Sequence, residues 1–249
     1  MVLRESWRAD PLAWIHRAEA RGIARELGAP LDTFSGQAGL LRLSDPVMLR
    51  ATETLTQAGM RYIGPDAAAL ALCYDKLAAT ERVRGAGIDC PAEATAFPMV
   101  IKPRRGSDSI GVRIIHGGAV PAGYLAQERV IGDEITVAVL HGIAGAPLRV
   151  DLPEGAVYSF ARKYLLRPRR APIVSEHARQ TARRIAALLG VDWAARVDFI
   201  FDRSRDRLVF LECDAAPLIG AGSAFAASLA AGGMPRAEQL GRLILGACT

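Results

Sequence analysis

Of the 31 basic residues in this 249-residue sequence only three are lysines, Lys76, Lys102 and Lys163. Arginine supplies all the other positive charge. Lysine offers a compact, strongly hydrated point charge on a flexible stem, whereas arginine offers a planar fork. Point charges suit phosphate oxygens. Lysines retained in a chain that otherwise uses arginine are therefore candidates for converging on one polyphosphate. A second constellation lies in residues 194–214. Read as two strands joined by a turn near Arg205, their side chains alternate between faces. That places Arg196 with Asp198 on one face of the first strand, and Glu212 with Asp214 and Phe210 on one face of the second. Asp198 then falls opposite Glu212. Three carboxylates on one face repel each other unless a hard cation neutralises them, and Mg²⁺ prefers oxygen ligands while keeping waters and substrate phosphates in its shell. The apolar flanks VDFIF and LVFLE favour a buried sheet over a solvated hairpin.

Two weaker patterns accompany these. In IKPRRGSDSIGV, Gly106, Ser107 and Ser109 lie in a loop between two short apolar runs. Such a loop offers backbone N–H groups and hydroxyls to an anion, although a plain hairpin turn has the same composition. No G-x-x-x-x-G-K-[ST] pattern occurs, so this is not a Walker loop. The run Gln127-Glu128-Arg129-Val130, followed by Glu134, could present a strand edge to a purine and a carboxylate to ribose hydroxyls. Taken alone it also fits a surface strand with polar ends.

Composition sets the frame. Hydrophobic residues make up 51% of the chain and charged residues 23%, ordinary values for a globular protein with a sizeable core. No apolar run approaches the ~20 residues of a membrane span, and MVLRESWRAD has charges where a secretory leader needs an apolar core. Cys73, Cys90, Cys213 and Cys248 show no C-x-x-C spacing and read as reduced thiols of a cytoplasmic protein without a zinc site. The net charge of +5 and pI of 9.3 point to anionic partners, a nucleotide or a nucleic acid. Aromatic residues are few and not interleaved with the basic ones, which speaks against a stacking surface for single strands.

The elements that must position these residues follow from pattern. Helices are expected at 10–27, at 46–60 with Pro46 in the first turn, at 66–86 with a break near Asp75, at 175–189 between Ser175 and Gly190, and near 236–247. Strands are expected at 98–102, 111–116, 125–131, 134–141, 194–201 and 207–214. This order implies an α+β protein rather than a doubly wound sheet.

Taken together, YIGPDAAALALCYDKLAATERVRGAGIDCP, VIKPRRGSDSIGV, QERVIGDEITVAV, ARKYL and LGVDWAARVDFIF with LVFLECDAAP resemble the ATP-grasp superfamily, most closely its D-alanine–D-alanine ligase branch. The resemblance implies two α+β subdomains clasping a nucleotide, at 66–124 and 125–249, after a shortened α/β region at 1–65. It implies ATP with two Mg²⁺ ions (or Mn²⁺) as cofactors. It also implies a ligase that joins a small carboxylate to an amine through an acylphosphate. Lys76, Lys102 and Lys163 match phosphate-contacting lysines, the Gln127–Val130 backbone (Glu128 included) an adenine hinge, and Glu134 the ribose acceptor. Asp198, Glu212 and Asp214 match metal ligands, Arg196 the stabiliser of the tetrahedral intermediate, Ser223 a seat for the second substrate's carboxylate, and Ser109 and Tyr164 lid-contacting residues. Membrane and nucleic-acid partners are not implied; a homodimer is allowed.

Four departures accompany the resemblance. No glycine-rich turn with a glutamate precedes Tyr62. Asp214 stands where asparagine is usual, Pro217-Leu218 replaces a Pro-Gly pair, and the segment from Tyr164 to Ser175 is short and arginine-rich. A substrate other than D-alanine is expected from these. Two further readings are a nucleotide-binding protein of this fold without catalysis, and a basic nucleic-acid binder.

Overall fold

The structure is a computed structural model and describes residues 3–5, 13–33, 39–153, 156 and 168–245. It opens with β1 (Leu3–Glu5), α1 (Ala13–Leu27), β2 (Leu31–Thr33), β3 (Leu40–Arg42) and α2 (Asp45–Gln57). The three strands form a parallel sheet in the order β2-β1-β3. Parallel neighbours need a crossover, and α1 provides it, burying Ile15, Ala20, Ile23 and Ala24.

Two short helices follow, α3 (Ala67–Tyr74) and α4 (Lys76–Gly85). The Asp66 carboxylate accepts the Ala69 N–H at 2.9 Å and starts α3. Asp75 ends α3 in an extended conformation and caps α4 through the Ala78 N–H at 3.3 Å. One aspartate thus makes the break that the sequence places there, satisfying an orphan helix donor.

A small antiparallel sheet comes next: β4 (Met99–Pro103), β5 (Arg113–Ile115) and β6 (Tyr124–Glu128), in the order β5-β4-β6. The chain then enters the large sheet, built from β7 (Asp133–Leu140), β8 (Ile143–Ala144), β9 (Leu148–Val150), β10 (Arg170–Pro172), β11 (Ala194–Asp202) and β12 (Arg207–Asp214). Its strand order is β10-β9-β7-β11-β12, with β8 paired to β7 and every pairing antiparallel. The remaining helices among the described residues are α5 (Glu176–Leu188), α6 (Ala224–Ala231) and α7 (Arg236–Leu245).

One face of the large sheet carries the main core. Val137, Val197, Phe199 and Phe210 pack with Leu55, Leu70, Val83, Ala182 and Ile185 of α2 to α5. On the opposite face, Ala138, Leu140 and Ala194 are covered by Phe225 and Leu229 of α6 and by Ile23 of α1. The other half of that face stays open as a cleft wall.

Three expectations need correction. Phe210 does not share a face with Glu212. The β11–β12 pairing shifts by one residue between Asp198 and Phe199, leaving Leu211 as the extra residue of a bulge. Phe210 therefore pairs with Phe199 in the core while Glu212 pairs with Asp198. The change of sheet also falls between Glu128 and Asp133 rather than at 124/125, because β6 pairs along β4. Finally α6, from an apolar run without helical periodicity (AFAASLAA), has no counterpart among the expected elements.

Candidate functional site

The open half of the large sheet's face is set by register. On β11, Arg196 and Asp198 point the same way; their partners on β12 are Asp214 and Glu212, and on the other side Asp198 lies beside Thr136 of β7. Arg196 is buried and donates to Asp198 through Nε at 3.1 Å and Nη2 at 3.0 Å. Its Nη1 lies 3.2 Å from Asp214 Oδ2, and Nη2 lies 3.7 Å from Glu212 Oε1. Burial disfavours the Arg196 cation, but Asp198, Asp214 and Glu212 outweigh that and hold it charged well above the ordinary guanidine range. Thr136 Oγ1 donates to Asp198 Oδ1 at 2.7 Å, and the Ala216 N–H to Asp214 Oδ1 at 3.0 Å.

Lys102 approaches from the small sheet. It lies on β4, buried, and its Nζ donates to the carbonyl of the bulge residue Leu211 at 3.1 Å. Burial lowers its pKa to about 8, opposed by the Glu212 carboxylate and reinforced by nearby Lys76. Lys76 is also buried; its Nζ donates a short hydrogen bond to the Gly106 carbonyl, and its backbone N–H to the Arg104 carbonyl. Asp75 holds the same loop from the other side, accepting from Arg104 Nε at 2.8 Å and from Arg105 Nη2 at 3.3 Å. Within this loop Asp108 and Ser109 adopt left-handed conformations with φ of 57° and 58°, which non-glycine residues reach only against strain. At Gly111 (φ 76°) a Cβ would come within 2.6 Å of the Tyr124 hydroxyl, so only glycine closes the loop onto the sheet.

Between the two sheets lies a cavity of about 680 Å³, within the range of small-molecule sites. Lys102, Ser109, Gln127, Glu128, Val130, Glu134, Arg196, Asp198 and Glu212 all line it. A second cavity of about 440 Å³ is walled by α1 and residues 218–224, and contains Ser223. The two meet at Glu134, Arg196 and Asp198, which border both. Lys76 and Asp214 instead line a narrow recess beside them, with Gly106, Arg196 and Glu212. Ser223 caps α6, its Oγ accepting the Ala226 N–H at 3.1 Å. Lys163 and Tyr164 lie outside the described residues.

Some participants were not found from the sequence. Thr136 has a signal: it lies two residues from Glu134 on β7 and so shares its face. Glu19 and Arg42 have none. On α1, Glu19 accepts from Arg42 Nη2 at 2.8 Å, from the Gly220 N–H at 2.8 Å and from the Ile219 N–H. Arg42 also donates to the Pro217 carbonyl at 2.7 Å. This buried pair ties the N-terminal region to the loop that leads from Asp214 to Ser223.

The donors around Arg196 are all carboxylate oxygens, the chemistry of a hard cation. Among the described residues no three His, Cys, Asp or Glu side chains already form a cage for an ion; the carboxylates are drawn onto the guanidinium instead. No helix among the described residues is long and apolar enough to cross a membrane.

Comparison with known proteins bears on the family and the fold. The chain is 28% identical over 174 residues to a D-alanine–D-alanine ligase of Chlorobaculum parvum, a match covering 61% of this chain and 48% of that enzyme. It is 29% identical over 218 residues to the corresponding ligase of Thermotoga petrophila, covering 75% and 71%. The matched segment thus spans about half of the first relative. Among solved structures, the D-alanine–D-alanine ligase of Bacillus anthracis complexed with ATP superposes with a TM-score of 0.79 at 16% identity, covering 98% of this chain and 95% of that one. The VanG D-Ala:D-Ser ligase of Enterococcus faecalis gives 0.69 at 22%, covering 86% and 74%. The family described as D-ala D-ala ligase C-terminus matches residues 79–245, and the chain belongs to that ATP-grasp family.

Proposed function

We propose that this protein is an ATP-dependent ligase that joins a carboxylate to an amine through an acylphosphate. The observation that carries the reading is the meeting of the two cavities at Arg196 and Asp198. One cavity has the lysine, loop and strand edge suited to a nucleotide; the other has room for the groups to be joined. ATP would lie with its base along Gln127–Val130, its ribose hydroxyls donating to Glu134 and its phosphates towards Lys102, Lys76 and the Ser109 loop. Lys163 and Tyr164 are assigned to the phosphate and lid side on the resemblance alone. The γ-phosphoryl group passes to the substrate carboxylate, giving ADP and an acylphosphate. The amine then attacks the acyl carbon, and phosphate leaves.

Both steps are dominated by charge, so positioning and electrostatic stabilisation supply most of the catalysis. Arg196 is aimed at the junction and stays charged there, which suits it to an oxyanion. Ser223, at the N-terminus of α6, suits a carboxylate of the second substrate. Mg²⁺ held by Asp198, Glu212 and Asp214 would, when bound, neutralise phosphate charge during transfer. The division into a nucleotide-clasping pair of subdomains belongs to this reading, as does a cytoplasmic location. D-Alanine is not the assigned substrate, because the region before Tyr62 has no glycine-rich turn bearing a glutamate. The test is amino-acid-dependent release of ADP and phosphate across a panel of D- and L-amino acids, with products identified by mass spectrometry. Glu212→Gln should retain the fold and abolish turnover. ADP binding with no turnover across the panel favours a protein of this fold without catalysis.

A further inference from the structure

The crossover from the small sheet to the large one, Arg129–Gly132, is held at both ends by a single turn. That turn, Asp202–Arg207, joins β11 to β12. From its far end Arg207 reaches Glu128, the last residue of β6, at 3.3 Å, while its Nε donates to Asp202 at 3.2 Å. From its near end Arg203 makes a two-pronged contact with Asp133, the first residue of β7, at 2.7 Å and 2.7 Å. The turn is braced internally: Asp202 Oδ1 accepts from the Ser204 hydroxyl at 2.6 Å and from the Ser204 N–H at 3.1 Å. Glu128 is fixed again from the other side, where its carboxylate accepts the Ala92 N–H at 3.2 Å. At the end of the crossover, a Cβ on Gly132 would lie 2.1 Å from the Phe201 carbonyl oxygen, so the backbone there is seated directly on β11.

We infer that Arg203 and Arg207 are positioning residues for the nucleotide base, clamping the strand edge that recognises it. The inference rests on the nucleotide reading of the larger cavity, which the crossover and the turn line together. A purine is read by main-chain N–H and C=O groups only if these stand still at the right spacing. A crossover of four residues between two sheets would otherwise shift whenever the sheets move relative to each other. Arginine suits this task because its planar fork can hold a carboxylate through two parallel bonds. The clamp acts on the base and not on the phosphates, which lie towards Lys102.

That separation supplies the test. Calorimetric titrations of the full chain with ADP, GDP and inorganic tripolyphosphate compare wild type with Arg207→Gln, Arg203→Gln and the double variant. Wild type should prefer ADP to GDP. Each single variant should weaken ADP about three- to tenfold and bring the ADP:GDP ratio towards one, leaving tripolyphosphate affinity unchanged. Arg207→Lys should recover part of the preference. Arg242→Gln, at the exposed pair with Glu238 on α7, should change nothing. ADP affinity and base preference unchanged in both single variants would overturn the clamp, as would a parallel loss of ADP and tripolyphosphate binding. Arg203 is largely exposed, so its variant keeps the test decisive if Arg207→Gln folds poorly. A wild-type protein that binds tripolyphosphate but does not distinguish ADP from GDP would also overturn it. No ADP affinity in wild type would instead overturn the nucleotide reading itself.

Discussion

The two walls of the cleft hold charge in opposite ways. On the large sheet, three carboxylates surround one arginine, so that wall carries a surplus of negative charge. On the small sheet and α4, the Lys102 and Lys76 ammonium groups donate to backbone carbonyls among the described residues, at Leu211 and Gly106. Carbonyls satisfy hydrogen bonds but not charge. The comparison teaches which wall awaits an anion. A phosphate gains most beside ammonium groups without a paired carboxylate, and the Arg196 wall gains most from a cation that relieves its surplus of carboxylates.

The comparison breaks most severely at its centre. Arg196→Met removes the guanidinium that pairs with three carboxylates on that wall, and breaking a buried pair in this way costs about 3–5 kcal/mol. Chemical denaturation should show that loss, together with absent turnover. Full stability in the variant would mean that the carboxylates do not depend on the guanidinium. Lys102→Arg tests the other wall. It keeps the charge but adds bulk and a fork where a point charge is needed. Losing one charge-assisted hydrogen bond costs roughly 1.5–3 kcal/mol, about one to two decades in ATP affinity or turnover. Wild-type behaviour would reduce the scarcity of lysine to mere composition.

Thr136→Val sharpens the contrast on the carboxylate side. It removes the hydroxyl that donates to Asp198 and should cost about 1 kcal/mol of stability while Arg196 still pairs. A loss as large as that of Arg196→Met would show that the hydroxyl, and not the arginine, holds the wall.

The last effect is one of pH. The Lys102 pKa lies at about 8 in the folded protein, below its ordinary value. Between about pH 8 and the ordinary lysine range the unfolded chain binds more protons than the folded one, so stability rises with pH across that window. Lys102→Met should lack this rise, and paired denaturation curves at pH 7.5 and 9.5 measure the difference.

Much of this site was legible because it is built on a hairpin. A short turn fixes register, and register fixes which carboxylates oppose which. Asp198 opposite Glu212 is expected from a turn centred near Arg205, although next to the turn Asp202 pairs with Arg207 and only the extra residue Leu211 brings Glu212 into line. Alternation fails where a residue is inserted, and Leu211 carries no mark that distinguishes it from any other strand leucine; hence the wrong face for Phe210. The α6 helix escaped because it is buried around much of its circumference, with Phe225, Ala226, Ser228 and Leu229 all inside, and a uniformly apolar helix has no stripe to detect. The tie between Glu19 and Arg42 joins two elements 23 residues apart, and the loop it holds is some 200 residues from Glu19. No local pattern encodes such a meeting. The arginines at 203 and 207 drew no notice in the sequence, because their partners lie across a sheet boundary that composition does not mark.

The contact between Lys102 and the Leu211 carbonyl has a consequence for how this family can drift. Its acceptor is main chain, so replacing the side chain at 211 leaves the acceptor atom in place. Only the lysine half is open to mutation. A search for co-varying positions would not pair Lys102 with 211, although that contact links the two sheets. The lysine would show up only as a site that resists the exchange for arginine accepted at nearly every other basic position of the chain.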